Sequence, residues 1–371
     1  MFIGAGEASG DRCGARAAEA IRRRVPDVRL LGFGGAAMRD AGVQLIADFR
    51  HLAVMGAVEA VRRLPTFLAL ERRTRRLWKE QGVQVFLPVD FPGLNMRLAG
   101  AARRRGMRVL YYIAPQVWAW RQRRAKKLAR RCDRVLTVLP FEAPVLGDWG
   151  VDARYVGHPL LDEVGRSDSP RAKEPDAVAG PERARPRGET LGIFPGSRAQ
   201  EVGRILPVFA DAARHLQGTH PGVRCVVARA PHLPGSLFAG CGLPLASTGE
   251  VIAQATAALT KSGTITLELA LARIPMVVGY AMSPLEWGVV RSMVKVDAVA
   301  LPNLLAGREV IPELLQGRLT PSAAAAAVAP LLDRDSPRRR QMVEDLGEVA
   351  GRLGGPGCAD RVAAHCEEFL A

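Results

Sequence analysis

The amino-acid sequence predicts an α/β fold of two doubly wound domains, each built on a parallel sheet. Short apolar runs alternate with segments of helical length, a pattern typical of βαβ units. Each half of the chain opens with a glycine-rich turn directly behind an apolar run, at Gly4–Asp11 and Phe194–Glu201. The 371 residues exceed one ordinary core and suit two. We therefore expect two domains that face a shared cleft.

In the first half, six apolar runs are predicted strands, and the segments between them are predicted helices. The strands are expected at 1–4, 29–33, 84–89, 108–113, 133–138 and 153–156. The helices are expected at 11–24, 59–80, 93–105 and 120–131.

The second half repeats this pattern after residues 166–188, whose Pro-rich, charged composition without periodicity predicts a linker. An N-terminal domain is therefore expected at 1–165 and a C-terminal domain at 189–350. For a final helix at 351–371, packing against the N-terminal domain is one hypothesis. The strands are expected near 190–194, 223–228, 257–260 and 275–279, and the helices at 199–216, at 263–272 and over much of 311–370.

The composition indicates a packed protein without disulfides. Hydrophobic residues make up 48% of the chain, and the six cysteines show neither a Cys-x-x-Cys pair nor metal-ligand spacing. The chain enters a strand at once and has no apolar stretch of about eighteen uncharged residues. We expect reduced thiols in the cytoplasm, and no metal, cofactor, signal peptide or transmembrane helix.

The net charge of +15 is concentrated in the first half of the chain. Residues 1–165 hold 29 of the 52 Lys and Arg residues but 16 of the 37 Asp and Glu residues. This asymmetry predicts an anionic partner: nucleic acid, an acidic membrane surface or a phosphorylated substrate. GC-rich codon usage, which favours arginine over lysine, explains part of the total charge but not its uneven distribution.

The first glycine-rich turn differs from a dinucleotide-binding fingerprint. The next predicted strand ends in Gly32–Gly35, without the acid that would bind a ribose. The turn instead carries Glu7, Ser9 and Asp11. Ser9 and Asp11 are either ligand-binding residues or caps of the following helix, whereas Glu7 lies in the turn itself.

Two further loops follow buried strands, where open parallel sheets form their ligand crevice. Asp90 ends one such run, as a general base or as a cap of the helix that starts near Gly93. Gln116 and Trp118 follow the next run, in an aromatic, proline-containing loop. This loop has three possible roles: it stacks on a sugar, faces an acyl chain, or packs in the core.

The turn that opens the second half is a candidate phosphate-binding loop. The backbone N–H groups at Gly196 and Ser197, together with the Arg198 side chain, suit a diphosphate. Ser197 and Gln200 also have the spacing of a capping box.

A second turn of this kind is expected around Ser262, Gly263 and Thr264, whose polar groups can donate to phosphate. Glu268 lies one helical turn deeper on the same face and can accept from ribose hydroxyls. No Gly-x-x-x-x-Gly-Lys-[Ser/Thr] loop occurs, so ATPase chemistry is not predicted.

One segment of the first half combines apolar and basic residues. Leu52–Val58 is apolar, and arginines cluster within Arg72–Arg76. This pattern fits either an interfacial membrane-binding segment or an ordinary amphipathic helix.

Together these motifs resemble those of the lipid-A-disaccharide synthase family, in the family's order and over about positions 4–315. They are Gly6–Asp11, Leu52–Gly56, Val89–Asn95, Pro115–Arg121, Leu139–Glu142, Gly157–Pro159, Pro195–Arg198 with Glu201, Ser262–Thr264 with Glu268, and Leu301–Arg308.

The resemblance implies a GT-B glycosyltransferase, with two Rossmann-like domains and a central cleft. The family joins UDP-2,3-diacylglucosamine to 2,3-diacylglucosamine 1-phosphate, which gives a β-1,6-linked lipid A disaccharide 1-phosphate and UDP. An inverting transfer needs a base for the attacking 6-hydroxyl and a stabilised diphosphate leaving group. The resemblance implies neither a metal nor a cofactor, because arginine and helix termini can replace a metal.

Carried over residue by residue, the resemblance makes Asp90 the best base, with Glu7 and Asp11 as alternatives. The implied substrate-binding residues are Ser9, Asn95, Gln116, Trp118, Gly196, Ser197, Arg198, Glu201, Ser262, Gly263, Thr264, Glu268, Asn303 and Arg308. Among them, Arg198 and the two turns would hold the diphosphate, Glu268 would bind the ribose, and the last two would lie near the donor.

Two departures from the family pattern concern the donor site. Lys261 stands where the family commonly has a small residue, and Ala281 replaces a frequent arginine. The first could contact phosphate or alter donor affinity, and the second removes one cationic contact.

The implied partners are a UDP-sugar lipid donor, a phosphorylated glycolipid acceptor and an anionic membrane surface that meets the basic, apolar N-terminal patch. Nucleic acid is not among them, and a homodimer is left open. The implied location is cytoplasmic, peripheral on the inner face of the inner membrane. The alternatives are another UDP-sugar glycosyltransferase or epimerase, or a non-catalytic basic module that binds membrane or nucleic acid.

Overall fold

The protein consists of two compact units in the computed structural model, which describes residues 1–49, 64–117, 124–164, 188–283, 287–288 and 298–370. The first unit comprises Met1–Asp162 and Gly355–Ala371, and the second comprises Glu163–Gly354. Each unit contains one parallel sheet, which confirms the predicted α/β class. All of the predicted linker except Gly188 lies outside the described residues.

The first unit contains a seven-stranded sheet in the order β3-β2-β1-β4-β5-β6-β7. The strands are β1 Phe2–Ala5, β2 Leu31–Gly34, β3 Gln44–Asp48, β4 Val85–Val89, β5 Arg108–Tyr112, β6 Arg134–Thr137 and β7 Ala153–Tyr155. The helices before residue 165 are α1 Ala8–Arg24, α2 Ala36–Asp40, α3 Leu64–Glu80, α4 Pro92–Arg103, α5 Ala125–Arg131, α6 Glu142–Gly147 and α7 Pro159–Val164.

The second unit contains a six-stranded sheet in the order β10-β9-β8-β11-β12-β13. The strands are β8 Thr190–Phe194, β9 Arg224–Ala228, β10 Leu245–Ala246, β11 Ala257–Lys261, β12 Met276–Tyr280 and β13 Glu313–Leu315. The helices are α8 Ala199–Thr219, α9 Thr248–Gln254, α10 Ile265–Leu271, α11 Leu301–Ala306, α12 Pro321–Leu332 and α13 Pro337–Arg352. A last helix, α14 Cys358–Leu370, belongs to the first unit.

Three described strands, β3, β10 and β13, have no counterpart among the predicted elements. Each lies at the edge of its sheet and is at least partly exposed along its length. A short, half-exposed strand lacks the continuous apolar run that marks a buried parallel strand. The predicted helices at 59–80 and 120–131 are described only in part, because residues 59–63 and 120–123 lie outside the described ranges.

The core of the first unit centres on the ring of Phe2 in β1. Its centroid lies 6.0 Å from that of Phe33, 5.7 Å from that of Trp78 and 5.9 Å from that of Phe86. All four side chains are at most 2% exposed. This cluster packs β1, β2, β4 and α3 against one another.

Helix α14 is anchored to the first unit at its N-terminus by Asp162. The carboxylate accepts from the backbone N–H groups of Gly357 at 2.6 Å, Cys358 at 3.1 Å and Ala359 at 2.9 Å. Arg24 of α1 pairs with Glu367 of α14 at 2.9 Å. The second unit is thus an insertion, in sequence, between two segments of the first.

A helix that crosses a membrane must be both long and apolar. Among the helices described here, none combines the length and the apolar character needed to cross a bilayer.

Candidate functional site

In the first unit, two loops meet where β1 and β4 end. These strands are neighbours, with Ala5 opposite Val89, so the turn after β1 lies beside the turn after β4. A Cβ atom at Gly6 would lie 2.3 Å from ring atoms of Phe91. Glycine is therefore required at this position, because the ring of one turn packs directly on the backbone of the other.

Asp90 follows β4 with a backbone that side chains rarely adopt. Its φ is 46°, and that of Phe91 is 50°. The Asp90 N–H donates to the carbonyl of Tyr112 at 3.0 Å. Its carbonyl accepts from Asn95 Nδ2 at 2.7 Å and from the Tyr111 hydroxyl at 2.9 Å. Such a conformation persists only where its surroundings fix it, and it is common at active sites.

The start of helix α4 bears on one of the two predicted roles of Asp90, that of a helix cap. Helix α4 begins at Pro92, and its N-cap residue is Phe91, whose side chain makes no capping hydrogen bond. Asp90 is half-buried and lies one residue before the N-cap position, and its role as general base stays a prediction.

Asn95 holds the two turns together from beneath. It is fully buried, and its Nδ2 donates to the carbonyls of Gly4 at 2.9 Å, Val89 at 3.3 Å and Asp90 at 2.7 Å. This burial favours a supporting role in place of the substrate contact that the sequence predicts.

Asp11 is also engaged inside the protein. It is 5% exposed, and its oxygens accept from the backbone N–H groups of Gly35 at 2.6 Å, Ala37 at 3.1 Å and Met38 at 3.2 Å. It caps α2, not the helix on which it lies. Both carboxylate oxygens are engaged by backbone N–H groups inside the protein, and this opposes the alternative role of Asp11 as a base.

Glu7 and Ser9 face solvent at the same edge of the sheet. Glu7 is the N-cap residue of α1, with an extended backbone and no side-chain cap. The predicted capping of α1 by Ser9 or Asp11 is therefore wrong, since the helix begins earlier, at Ala8. Gln116 is exposed in the loop after β5, and Trp118 lies outside the described residues.

In the second unit, β8 and β11 are neighbours, with Phe194 opposite Thr260, so their turns are adjacent. Gly196 has a φ of 117°, and a Cβ there would lie 2.7 Å from Glu201 Oε2. The N-cap residue of α8 is Arg198, without a side-chain cap, so the capping box predicted at Ser197 is wrong. The backbone carbonyl of Ser197 accepts a hydrogen bond from His232 Nε2 at 2.9 Å.

Two cations flank Glu201, whose side chain is 14% exposed. Lys261 Nζ lies 3.1 Å from Glu201 Oε1 and 5.7 Å from the ring centroid of Tyr280. Arg198 lies 3.6 Å from the same oxygen, and its side chain is 72% exposed. Glu201 is thus placed as the partner of these cations, and only Arg198 among the three is largely open to solvent.

The turn after β11 contributes one engaged hydroxyl and one exposed one. Ser262 Oγ donates to the Val299 carbonyl at 2.7 Å, whereas Thr264 is exposed at the start of α10. Gly263 has a φ of 150°. Glu268, which is half-buried, lies in the first turn of that helix, as predicted from its spacing.

Asn303 makes four hydrogen bonds within the second unit and is 3% exposed. Its Nδ2 donates to the Ile311 carbonyl at 2.9 Å and to Glu313 Oε1 at 2.8 Å, and its Oδ1 accepts from the N–H groups of Val310 at 2.8 Å and Ile311 at 3.0 Å. Asn303 therefore stabilises the loop between α11 and β13.

Arg308 has a structural partner as well. Its guanidinium makes two hydrogen bonds to Asp345, at 2.8 and 3.2 Å, and this pairing lowers the pKa of that carboxyl. Its side chain remains 51% exposed. Across the described residues, no group of three or more His, Cys, Asp or Glu side chains could hold a metal ion.

Some residues that shape these loops escaped the sequence analysis. Tyr111 lies within an apolar run that reads as core, and His232 carries no motif. Glu313 is an acid in the apolar segment that follows Val310, and its carboxylate accepts from the N–H groups of Val299 and Ala300, each at 3.0 Å. Of these three residues, only Glu313 has a signal in the sequence, because it is an acid within an apolar segment.

A comparison with known proteins shows which family the sequence matches. The profile of the lipid-A-disaccharide synthetase family matches residues 1–350. A lipid-A-disaccharide synthase from Myxococcus xanthus (strain DK1622) is 39% identical over 380 residues, which cover 100% of this chain and 97% of the relative.

Solved structures resemble the fold at much lower identity. The glycosyltransferase of kitacinnamycin superposes with a TM-score of 0.62 and 18% identity, covering 100% of this chain and 98% of that one. A UDP-N-acetylglucosamine 2-epimerase superposes with a TM-score of 0.57 and 10% identity, covering 93% and 90%. Transferases and epimerases thus share this GT-B-like fold, which alone does not separate the two activities.

Proposed function

Since this chain belongs to the lipid-A-disaccharide synthase family, we propose that Asp90 is the general base of its glycosyl transfer. The family's enzymes build the lipid A disaccharide from a UDP-sugar lipid donor and a phosphorylated glycolipid acceptor. The family match separates this activity from that of the epimerases, whose resemblance is limited to the fold.

In the proposed step, the Asp90 carboxylate accepts the proton of the acceptor's 6-hydroxyl as its oxygen attacks the anomeric carbon of the donor. The new carbon–oxygen bond forms as the bond to the diphosphate breaks, and UDP leaves with the electron pair. Attack on the face opposite to UDP inverts the anomeric configuration.

The left-handed backbone of Asp90 is the observation that carries this assignment. Three hydrogen bonds, from Asn95 and Tyr111 and to the carbonyl of Tyr112, hold the conformation and leave the carboxylate half-buried where β4 ends. A base fixed in this way loses little freedom when the acceptor binds.

Glu7 is the second candidate for the base. It is exposed in the neighbouring turn and does not cap α1. Asp11 is disfavoured, because its oxygens already accept from three backbone N–H groups.

The donor's diphosphate is proposed to bind at the two adjacent turns of the second unit. Arg198 offers an exposed guanidinium, and the left-handed Gly196 brings the backbone close without a side chain. Thr264 offers a hydroxyl, and Glu268 is assigned to the ribose. The Arg198 guanidinium and the backbone N–H groups of the Gly196 turn supply positive potential to the leaving group without requiring a metal ion.

Helix α3 is the proposed contact with an anionic membrane, on the cytoplasmic face of the inner membrane. Trp78 is buried in the core, whereas Arg72, Arg73, Arg75 and Arg76 are exposed. A helix that presents arginines to solvent and follows an apolar stretch in the sequence suits acidic headgroups. A homodimer stays a hypothesis.

The purified protein is to be incubated in detergent with UDP-2,3-diacylglucosamine and 2,3-diacylglucosamine 1-phosphate, with the product followed by mass spectrometry. We expect Asp90→Asn to lose turnover and keep its UDP affinity. Asp148→Asn, an exposed aspartate in the same unit, is the matched control. Full turnover by Asp90→Asn, together with inactive Glu7→Gln, would transfer the role of base to Glu7.

A further inference from the structure

Lys261 is a charged residue at the end of a central strand in the second unit. Its side chain is only 18% exposed, and β11 lies between β8 and β12 in the sheet. Lysine is rarely this buried unless its ammonium is paired. The partners of this ammonium therefore indicate what the residue does.

The ammonium lies near one group from the helix that follows β8 and one from the end of β12. It lies 3.1 Å from Glu201 Oε1, in the first turn of the helix that follows β8. It also lies 5.7 Å from the ring centroid of Tyr280, the last residue of β12. A Cβ at Gly263 would lie 3.5 Å from Nζ, so the ammonium is beside the turn that follows β11.

Glu201 makes a positive partner necessary at this place. Its Oε2 is buried directly behind the Gly196 turn and has no hydrogen-bond partner among the described residues. An uncompensated carboxylate there would be costly to bury and would repel an anion at the turn. With Lys261 and Arg198 both present, this corner instead carries one net positive charge.

We propose that Lys261 is an additional binding residue for the diphosphate of the UDP-sugar donor. This inference rests on the proposed function, which places the diphosphate at the two turns. Glu201 and Tyr280 hold the ammonium between the turns, where it complements the solvent-exposed Arg198 with a pre-positioned charge. Pre-positioning lowers the conformational cost of binding the ligand.

The test compares UDP with uridine, which lacks phosphates, by isothermal titration calorimetry. We expect Lys261→Met to weaken UDP binding about tenfold and to leave uridine binding unchanged, because one charge-assisted contact to phosphate is lost. Arg214→Met is the matched control: it removes a cation from α8 that is paired with Asp211 at the surface, and it should change neither affinity.

The double variant Glu201→Gln/Lys261→Met separates a phosphate contact from simple charge balance. It leaves no unpaired buried carboxylate, and it keeps the net charge of the wild-type corner. We expect it to recover any melting temperature lost in Lys261→Met but to bind UDP as weakly. It also serves as the test protein if the single variant does not fold.

Two results would overturn the inference while leaving the proposed donor site intact. One is a Lys261→Met protein that keeps the wild-type preference for UDP over uridine. The other is a double variant with wild-type UDP affinity, since Lys261 would then act only by neutralising Glu201. A wild-type protein that binds UDP no better than uridine would overturn the donor site itself, and this inference with it.

Discussion

Tyr111 donates its hydroxyl hydrogen to the backbone carbonyl of Asp90 at 2.9 Å, from the strand next to the one that Asp90 follows. The bond joins a fully buried phenol to the residue with the unusual backbone. Burial raises the pKa of the Tyr111 phenol well above its usual value, with a further contribution from the Asp90 charge. Tyr111 therefore remains a hydrogen-bond donor throughout the physiological pH range.

Tyr111→Phe is expected to lower kcat about tenfold with little change in KM, because Asp90 loses one of the bonds that position it. Steady-state kinetics with both substrates measure this split. Tyr112→Phe is the matched control, since its hydroxyl contacts Cys358 Sγ at 3.3 Å instead. Each variant should lose about 1 kcal/mol of stability. Equal kcat losses in both would show that packing, not the Asp90 contact, is responsible.

Asp11→Asn is expected to lower the free energy of unfolding by about 2 kcal/mol, because α2 loses an ionised cap with three backbone donors. The activity per folded molecule should stay close to that of the wild type. Denaturant unfolding and turnover, measured on the same preparation, check both parts. A stable but inactive variant would instead identify Asp11 as a participant in the chemistry.

Gly196→Ala is expected to weaken UDP binding and to lower stability by about 1–3 kcal/mol, because the new methyl group meets Glu201 in a left-handed backbone. Gly203→Ala on α8 is the control, since no atom that the structure describes would lie within 4 Å of a Cβ there. It should raise stability by about 0.5–1 kcal/mol. Thermal unfolding and UDP titration of both variants test this prediction. Equal stability and equal UDP affinity in the two variants would argue against strain at the turn.

Acid should destabilise the first unit through His158. Burial lowers the pKa of its imidazole from 6.5 to about 4, and the neutral ring accepts from the Leu160 N–H at 3.3 Å. The unfolded chain binds this proton more readily, so stability is present above pH 6.5 and is lost as the pH falls toward 4.

Between pH 7 and pH 5, His158 should account for a loss of about 2 kcal/mol in the free energy of unfolding. His158→Asn keeps an acceptor for the Leu160 N–H and has no titrating group. Denaturant unfolding of both proteins at the two pH values should show a smaller loss in the variant. Equal losses would assign the acid sensitivity to other groups.

The sequence predicts the central strands and glycine turns because each has a local signal. A buried parallel strand is a continuous apolar run, and the turns after β1 and β8 carry glycine where backbone or side chains approach closely. The edge strand β3 has no such run and was missed.

The contacts that shape the site are non-local, and the sequence could not show them. Asp11 caps a helix 25 residues further on, and Lys261 at the end of strand β11 pairs with Glu201 of helix α8. Ser197 has the spacing of a capping residue, yet its helix begins one residue too late for it to act as one. Only the folded chain brings such groups into contact.

The anchoring of α14 by Asp162 has a consequence for biogenesis. Val362 and Ala363 of α14 are fully buried in the first unit, but the ribosome reaches them only after the entire second unit has been translated. The first unit therefore exposes an apolar surface to solvent while the second unit is synthesised. Nascent chains arrested before residue 355 should be open to chaperone capture and proteolysis until that last helix arrives.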